Sequence, residues 1–497
     1  MDKRLETPNQ AAPLTPADIR AILIGVMLAM FLAALDQTIV ATALPTIGRE
    51  FADVAHLSWI VTIYLLASTT VTPLYGKLAD IHGRRVVLLS GIVIFVIGSI
   101  ACALAPSLWL LVVARFIQGL GGGGLIALAQ TIVADMVPPK ERGRYQVYFA
   151  SVFMSSSLLG PVLGGFLAEK LHWSVIFWIN LPLGLGAYWM TSAALKRLPR
   201  HERPHQLDVL GAMLMTLATM SLLLALSWGG TAYPWRSLPI AGLIGAALLL
   251  GALFAWRLRR AQEPLIPLDI LANRVVRRGT VAAGFGMGTF IGLTIYLPLY
   301  FETVMGLSAT HSGLGLLPLT CGTVVGATSS GRAMSHLTHY KRVPLAGLAV
   351  ALCGAAVLAA FSGRIPLLPF CAILAVVSIG FGTLLPVATV AIQNAVKTHQ
   401  LGTATAVANF FRQIGGALIV AIFGAIVLGG VGGAAEQLSP EALKLGTVDR
   451  ETMVTLFRYV FAAASLGFAL ALISLARMEE LPLRGRAVEA AKAIGGE

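Results

Sequence analysis

Apolar positions in this chain neither alternate in twos nor recur every third or fourth residue. They run on without interruption. Fourteen such stretches lie near 20–44, 57–78, 84–105, 108–134, 145–169, 174–195, 208–227, 236–256, 276–302, 312–334, 342–361, 367–390, 401–430 and 453–475, with short polar joints between them. A helix rising 1.5 Å per residue needs about 20 apolar residues to cross a hydrocarbon layer about 30 Å thick. The pattern predicts an all-α membrane protein with fourteen transmembrane helices. Its organisation reads as a tail (1–19), a six-helix half (20–195), a linker with two extra central helices (196–275), a second six-helix half (276–475) and a tail (476–497). An even count puts both tails on one side.

Composition agrees with that pattern. Of the 497 residues, 57% are hydrophobic and 12% charged, about half the charge of a water-soluble domain. The net charge of +13 would suit nucleic acid, but the basic residues sit in the joints between spans, which excludes it. Their distribution sets the orientation instead. With the N-terminus in the cytoplasm, 27 of the 36 Lys and Arg face inward, among them Lys77, Arg84, Arg85, Lys140, Arg142, Arg144, Arg257, Arg259 and Arg260. Seven face outward (Arg49, Lys170, Arg236, Arg364, Lys444, Arg450, Arg458), and Arg115 and Arg412 lie within spans. Both termini are therefore expected to be cytoplasmic. The first apolar run, about 25 residues long, exceeds a cleavable signal core and is expected to remain as the first span. Trp59, Trp109, Trp173, Trp228 and Trp235 fall near span ends, where an interfacial belt belongs.

Several kinds of chemistry are not expected. The four cysteines are scattered through apolar segments without ligand spacing, so they read as core residues and no metal or cofactor is implied. No Gly-x-x-x-x-Gly-Lys-Ser/Thr loop is present to hold ATP. The "GGGG" at 121–124 lies inside a span with no lysine after it, which suits close helix packing. No nucleophile with a base lies at depth, which argues against an enzyme, and no signalling domain is attached, which argues against a receptor.

One carboxylate breaks the apolar pattern: Asp36, in "FLAALDQTIVATALP" (31–45). A charge at the bilayer centre costs about 3 kcal/mol on insertion scales, so it normally faces the bundle interior and has a partner. Counting from the outer span ends, Asp36 and Arg115 lie at the same depth, roughly 10–12 Å below the outer surface of the apolar layer. A pair, direct or through water, is feasible. Gln118, Gly119 and Gly122 follow Arg115 at helical spacing and would line a cavity or admit a neighbouring helix. On the fifth span "GPVLGG" (160–165) sets Gly160 and Gly164 four apart for close packing, while Pro161 removes a donor and favours a bend. Arg412 would line the second half of a cavity or bind backbone carbonyls. An internal echo also appears. "GKLADIHGRRVVLLSG" (76–91) and "GRAMSHLTHYKRVPLAG" (331–347) share a glycine, a basic residue, a polar bend and a basic pair; the second is two residues longer before that pair and lacks the acid. Duplicated halves are the usual build of secondary transporters.

"GKLADIHGRR" resembles the loop signature of the major facilitator superfamily, and "RFIQGLGGGG" (115–124) its fourth-helix motif. "GPVLGG" is similar to the motif of its antiporters. "LDQTIVATALP" (35–45), "WINLPLG" (178–184) and "RQIGGA" (412–417) resemble the fourteen-helix drug:proton antiporter branch. The motifs run from the first span to the thirteenth. Ala41 stands where the pattern usually has asparagine and Ile81 where a basic residue is common; neither touches the acid. The resemblance implies a proton-coupled antiporter exporting small lipophilic compounds, that is, multidrug efflux by alternating access, from the inner membrane. A same-fold exporter of one endogenous metabolite is the alternative. Asp36 and Arg115 would couple protons. Gln118, Gly119, Gly122, Asn180, Asn409 and Arg412 would line the substrate cavity. Gly76, Asp80, Gly83, Arg84 and Arg85 would form the inner gate, and Gly160, Pro161, Gly164 and Gly165 a hinge. The expected partners are protons, the small-molecule substrate and the lipid bilayer, with a monomeric transport unit and a periplasmic adaptor protein as a further candidate. Because Asp36 is the one deep acid, the substrates expected are neutral or singly charged, anions included, and rigid dications are expected to be handled poorly.

Overall fold

The computed structural model describes residues 15–53, 56–197, 207–430 and 450–483. The expectations for the tails up to residue 14 and from 484, for linker residues 198–206, and for the loop 431–449 with Lys444 fall outside the described residues.

Among the described residues the fold is helical; a single backbone bridge, Gly229 to Tyr233, closes a turn. The helices are α1 (Pro16–Phe51), α2 (Ser58–His82), α3 (Arg84–Ala103), α4 (Leu108–Gly122), α5 (Leu125–Met136), α6 (Pro139–Lys170), α7 (Val175–Trp178), α8 (Asn180–Ala194), α9 (Val209–Trp228), α10 (Leu238–Arg260), α11 (Leu268–Ala272), α12 (Arg274–Thr303), α13 (Ala309–Leu314), α14 (Leu317–His336), α15 (Arg342–Ala360), α16 (Leu367–Gly382), α17 (Leu384–Asn394), α18 (Leu401–Gly430) and α19 (Arg450–Ala476). Side-chain caps start several of them: Thr15 and Asp18 form a capping box on α1, Ser107 caps α4, Asp208 caps α9 and Asn273 caps α12.

Eleven helical segments are long and apolar enough to cross a membrane, three fewer than the fourteen expected. α2, the α7–α8 pair and α14 stand where the other three were expected. α2 and α14 carry Ser/Thr clusters that dilute their apolar character. The 174–195 stretch is interrupted at Ile179, between α7 and α8, where Pro182 has no N–H to give the Trp178 carbonyl four residues back. Similar breaks divide α4 from α5 at Gly123–Gly124 and α13 from α14 ahead of Pro318. Other bounds moved less. α6 starts at Pro139 rather than 145, and α2 runs to His82 rather than 78. Gly76 and Asp80 are thus on a helix, not in a loop. Only Gly83 joins α2 to α3, at φ 88°, a conformation open to glycine and strained for other residues.

Two bundles result. In the first, α1 packs on α6 and α8, and α3 and α2 pack on α4; in the second, α12 packs on α18 and α19, and α16 on α14 and α15. They meet along α2–α18 and α6–α14, while the α9–α10 hairpin lies beside α2 and α18. α10 buries only Ile240 and Leu258 and otherwise presents an apolar surface, as a lipid-facing helix should. The second bundle has an aromatic core in which Tyr300 stacks on Phe370 with ring centroids 5.0 Å apart, and Phe301, Phe457 and Phe461 close around them. The first bundle has an aliphatic core around a polar centre.

Candidate transport site

That polar centre is built on Asp36. Arg115 Nη1 donates to Asp36 Oδ2 at 2.6 Å, and Arg115 Nε donates to the Ile60 carbonyl at 3.1 Å. Gln118, three residues on and therefore on the same face of α4, donates through Nε2 to Asp36 Oδ1 at 2.8 Å and accepts from Arg115 Nη1 at 2.7 Å. Asn180 Nδ2, from α8, donates to the same Oδ1 at 3.1 Å. Ser99 of α3 accepts from both amides, at 3.2 and 2.9 Å, and donates to the Phe177 carbonyl at 2.9 Å. The Arg115 guanidinium carbon lies 4.2 Å from the centroid of the Tyr64 ring, an added cation–π contact. Asp36, Gln118 and Asn180 are fully buried and Arg115 is 1% exposed. An ion pair in so dry a place is tolerated only when its geometry is good and its remaining lone pairs are met. Here every group aimed at the two Asp36 oxygens is a donor. One acceptor in the cluster, Asn180 Oδ1, has no hydrogen-bond partner.

Gly119 and Gly122 continue the Arg115 face of α4 against α2. A Cβ at Gly119 would stand 2.7 Å from the Tyr64 carbonyl oxygen, and one at Gly122 would stand 2.5 Å from the Tyr64 hydroxyl. Both admit α2 closely and border no open space.

A second polar group sits where the bundles meet. Asn409 and Arg412 are three apart on α18. The Arg412 guanidinium donates to Asn409 Oδ1, and Asn409 Nδ2 donates across to Gln130 Oε1 of α5 at 2.9 Å. Gln393 Nε2 of α17 reaches the Gln130 carbonyl at 3.4 Å and Thr405 Oγ1 at 3.3 Å. Gln130, Thr389, Thr405, Asn409 and Arg412 line a narrow cleft between the bundles, with Ala283 and Ile392 among its apolar wall. It has room for about one water molecule. Among the described residues no carboxylate pairs with Arg412.

At the end expected to face the cytoplasm, Asp80 reaches from α2 to the first turn of α18. Its Oδ2 accepts from the Thr403 backbone at 2.8 Å and from Thr403 Oγ1 at 2.6 Å, and its Oδ1 accepts from the Gly402 backbone at 3.2 Å. A negative charge on a helix N-terminus is favourable. Arg84 Nη1 pairs with Asp80 Oδ1 at 2.6 Å and Arg84 Nε with Asp135 Oδ2 of α5 at 2.9 Å. Arg85 points elsewhere, donating to the carbonyl and hydroxyl of Ser192 on α8. The two glycines that open the internal echo mark the two closest crossings between bundles. A Cβ at Gly76 would meet the Gly402 carbonyl oxygen at 2.6 Å; one at Gly331 would meet the Gly143 carbonyl oxygen at 2.3 Å.

On α6, Gly160 and Gly164 back onto α1: added Cβ atoms would stand 2.0 Å from Thr38 Oγ1 and 2.2 Å from Thr42 Oγ1. Pro161 is exposed on the other side, α6 runs on through it, and a Cβ at Gly165 would meet nothing within 4 Å.

Sequence reasoning missed Ser99, Tyr64, Gln130, Gln393 and Thr405, and placed Asp135 only at a span end. The signal was present: Ser99, Gln130 and Gln393 interrupt apolar runs. What was lacking was the rotation of each helix, which decides whether such a residue faces a neighbour or lipid.

Residues 26–420 match the profile of the Major Facilitator Superfamily, and the chain belongs to that family, one of transporters and not of enzymes. It is 36% identical over 417 residues to an uncharacterized MFS-type transporter of Mycobacterium tuberculosis, an alignment covering 83% of this chain and 60% of that one. The chain thus spans about 60% of that relative's length. It is 32% identical over 409 residues to the multidrug transporter protein MdtP of Bacillus subtilis (82% of this chain, 75% of that one). It is also 32% identical over 414 residues to multidrug resistance protein 3 of the same organism (82% and 80%). Among solved structures, the human organic anion transporter MFSD10 superposes with a TM-score of 0.64 at 16% identity, covering 92% of this chain and all of that one. The protein is therefore a multi-pass membrane protein of this family.

Proposed function

We propose that the chain is a proton-coupled antiporter that exports small lipophilic compounds by alternating access. The observation that carries this reading is the Asp36 centre: a carboxylate deep in a span, held by Arg115, Gln118 and Asn180, in a bundle whose other buried polar groups are neutral or lie at its ends. The names of the Bacillus subtilis relatives support the substrate class. In this reading fourteen spans form two six-helix halves and an extra pair, both termini are cytoplasmic, and the membrane is the inner one. The Asp80 and glycine crossings hold the cytoplasmic side shut, so the chain as seen is closed inward. Asp36 takes a proton from outside as substrate leaves, then loses it inside as substrate reloads. A potential of about 100 mV supplies about 2.3 kcal/mol per charge moved, enough for a gradient of roughly 40-fold at about 1.4 kcal/mol per decade.

Everted vesicles test it. Wild-type protein should accumulate a lipophilic monocationic dye only while a proton gradient exists, and Asp36→Asn, folded and inserted, should not. Near-normal uphill transport by Asp36→Asn would remove Asp36 from the coupling role.

A further inference from the structure

We propose that Arg412 is an anion-binding subsite, and that the compounds this transporter loads from the cytoplasm include amphiphiles carrying a sulfonate, carboxylate or similar anionic group. The inference rests on the reading of the chain as an exporter and names a substrate class for it.

A guanidinium inside an apolar span normally pairs with a counter-charge or with backbone carbonyls. Arg115 has a counter-charge 2.6 Å away. Among the described residues Arg412 has only the side-chain oxygen of Asn409, a neutral acceptor. The described residues thus keep a partly buried cation without a resident anion, on the wall of a cleft between the bundles above the Asp80 contacts. Its surroundings suit an anionic head group with an apolar body. Thr389, Thr405 and Gln130 offer hydroxyl and amide groups, and Ala283, Ala388 and Ile392 offer apolar surface. A planar guanidinium can grip two oxygens of a sulfonate or carboxylate at once.

The same geometry says when the subsite opens. In this structure the cleft is closed by the Asn409–Gln130 bond between bundles, and Thr69 Oγ1 of α2 donates to Gln413 Oε1 of α18 at 2.7 Å a turn further on. Both bonds span the line along which the bundles must part for loading from the Asp80 side. Parting them frees the Gln130 face and widens the cleft at Arg412. Asn409 then holds the guanidinium only until an anion arrives.

The test compares two probes sharing an aromatic skeleton, 1-anilinonaphthalene-8-sulfonate and its uncharged parent N-phenyl-1-naphthylamine. Their fluorescence is titrated on purified full-length protein in phosphatidylcholine nanodiscs, with empty nanodiscs subtracted and no gradient present. Wild-type protein should bind the sulfonate about tenfold more tightly than the parent, about 1.4 kcal/mol. In Arg412→Gln that ratio should fall about tenfold, and in Arg412→Lys it should stay within roughly threefold of wild type. A wild-type ratio near one, binding of neither probe included, overturns the proposal without any variant. An unchanged ratio in Arg412→Gln also overturns it. The titration is repeated with phosphatidylglycerol in the nanodiscs. Unchanged affinity keeps the soluble anion; loss of the Arg412-dependent part hands the subsite to a lipid headgroup and overturns the proposal. Because no gradient is used, a failure here leaves proton coupling standing. Uphill transport by Asp36→Asn would end the coupling reading and leave this ratio untouched.

Discussion

The two bundles each carry one deep arginine, and the two sit in opposite surroundings. Arg115 touches a carboxylate, a backbone carbonyl, an amide oxygen and an aromatic face. Its charge is met inside the fold by Asp36. Arg412 faces a cleft and leans on one neutral amide. The contrast shows two ways to keep a cation in a membrane protein: neutralise it within the fold, or leave the neutralising charge to what arrives. The first fixes a geometry around a titratable group. The second leaves a charge available in a place that, in the proposed cycle, would open and close.

The contrast is most exposed to substitution at Arg115. Arg115→Gln leaves Asp36 buried without a cation, and breaking one side of such a pair costs about 3–5 kcal/mol. The variant should melt far below wild type in detergent; a wild-type melting curve would mean that the pair does not balance the fold. Asn180→Leu comes next. It removes one donor to Asp36 and one to Ser99 and should cost about 1–3 kcal/mol in the same melt. Asp80→Asn keeps the size of the side chain but takes the charge from the start of α18. It should weaken the inner contact by about 0.5–2 kcal/mol, slow efflux several-fold and leave probe affinity within about twofold. A large loss of affinity at normal turnover would contradict that. Smallest of all, Arg412→Gln should change the melting stability by no more than about 1 kcal/mol, because no buried anion is orphaned. A loss like that of Arg115→Gln would reveal a hidden counter-charge and erase the contrast.

Much of this was legible in the chain. Span positions followed from uninterrupted apolar runs, and the equal depth of Asp36 and Arg115 followed from counting residues along helices of known rise. Gln118 was legible too, three places from Arg115. Asn180 was flagged only by resemblance, and its contact with Asp36 crosses 144 residues of sequence, which periodicity does not encode. Gln130 and Gln393 could be seen as polar residues in apolar runs, but their partners lie 279 and 263 residues away in sequence, and helix rotation is not written in periodicity when every face is apolar. Asp135 meets Arg84 across 51 residues for the same reason. The helix break inside 108–134 escaped because a run of glycines reads equally well as close packing.

The paired glycines where the bundles cross have a consequence for populations. Gly76 with Gly402 and Gly143 with Gly331 stand so close that an added methyl carbon at any of the four would lie between 2.3 and 2.6 Å from an atom across or beside the crossing. The arrangement described here has no room for that carbon, whereas any arrangement in which the pairs separate has room to spare. Alanine at one of these positions therefore acts like a ligand with affinity for one state only. Each 1.4 kcal/mol of intrusion moves the ratio of the two states about tenfold, and about 5.5 kcal/mol would carry it from 1:99 to 99:1. If the proposed alternation holds, turnover should thus be retuned at Gly331 without altering any atom at Asp36 or Arg412.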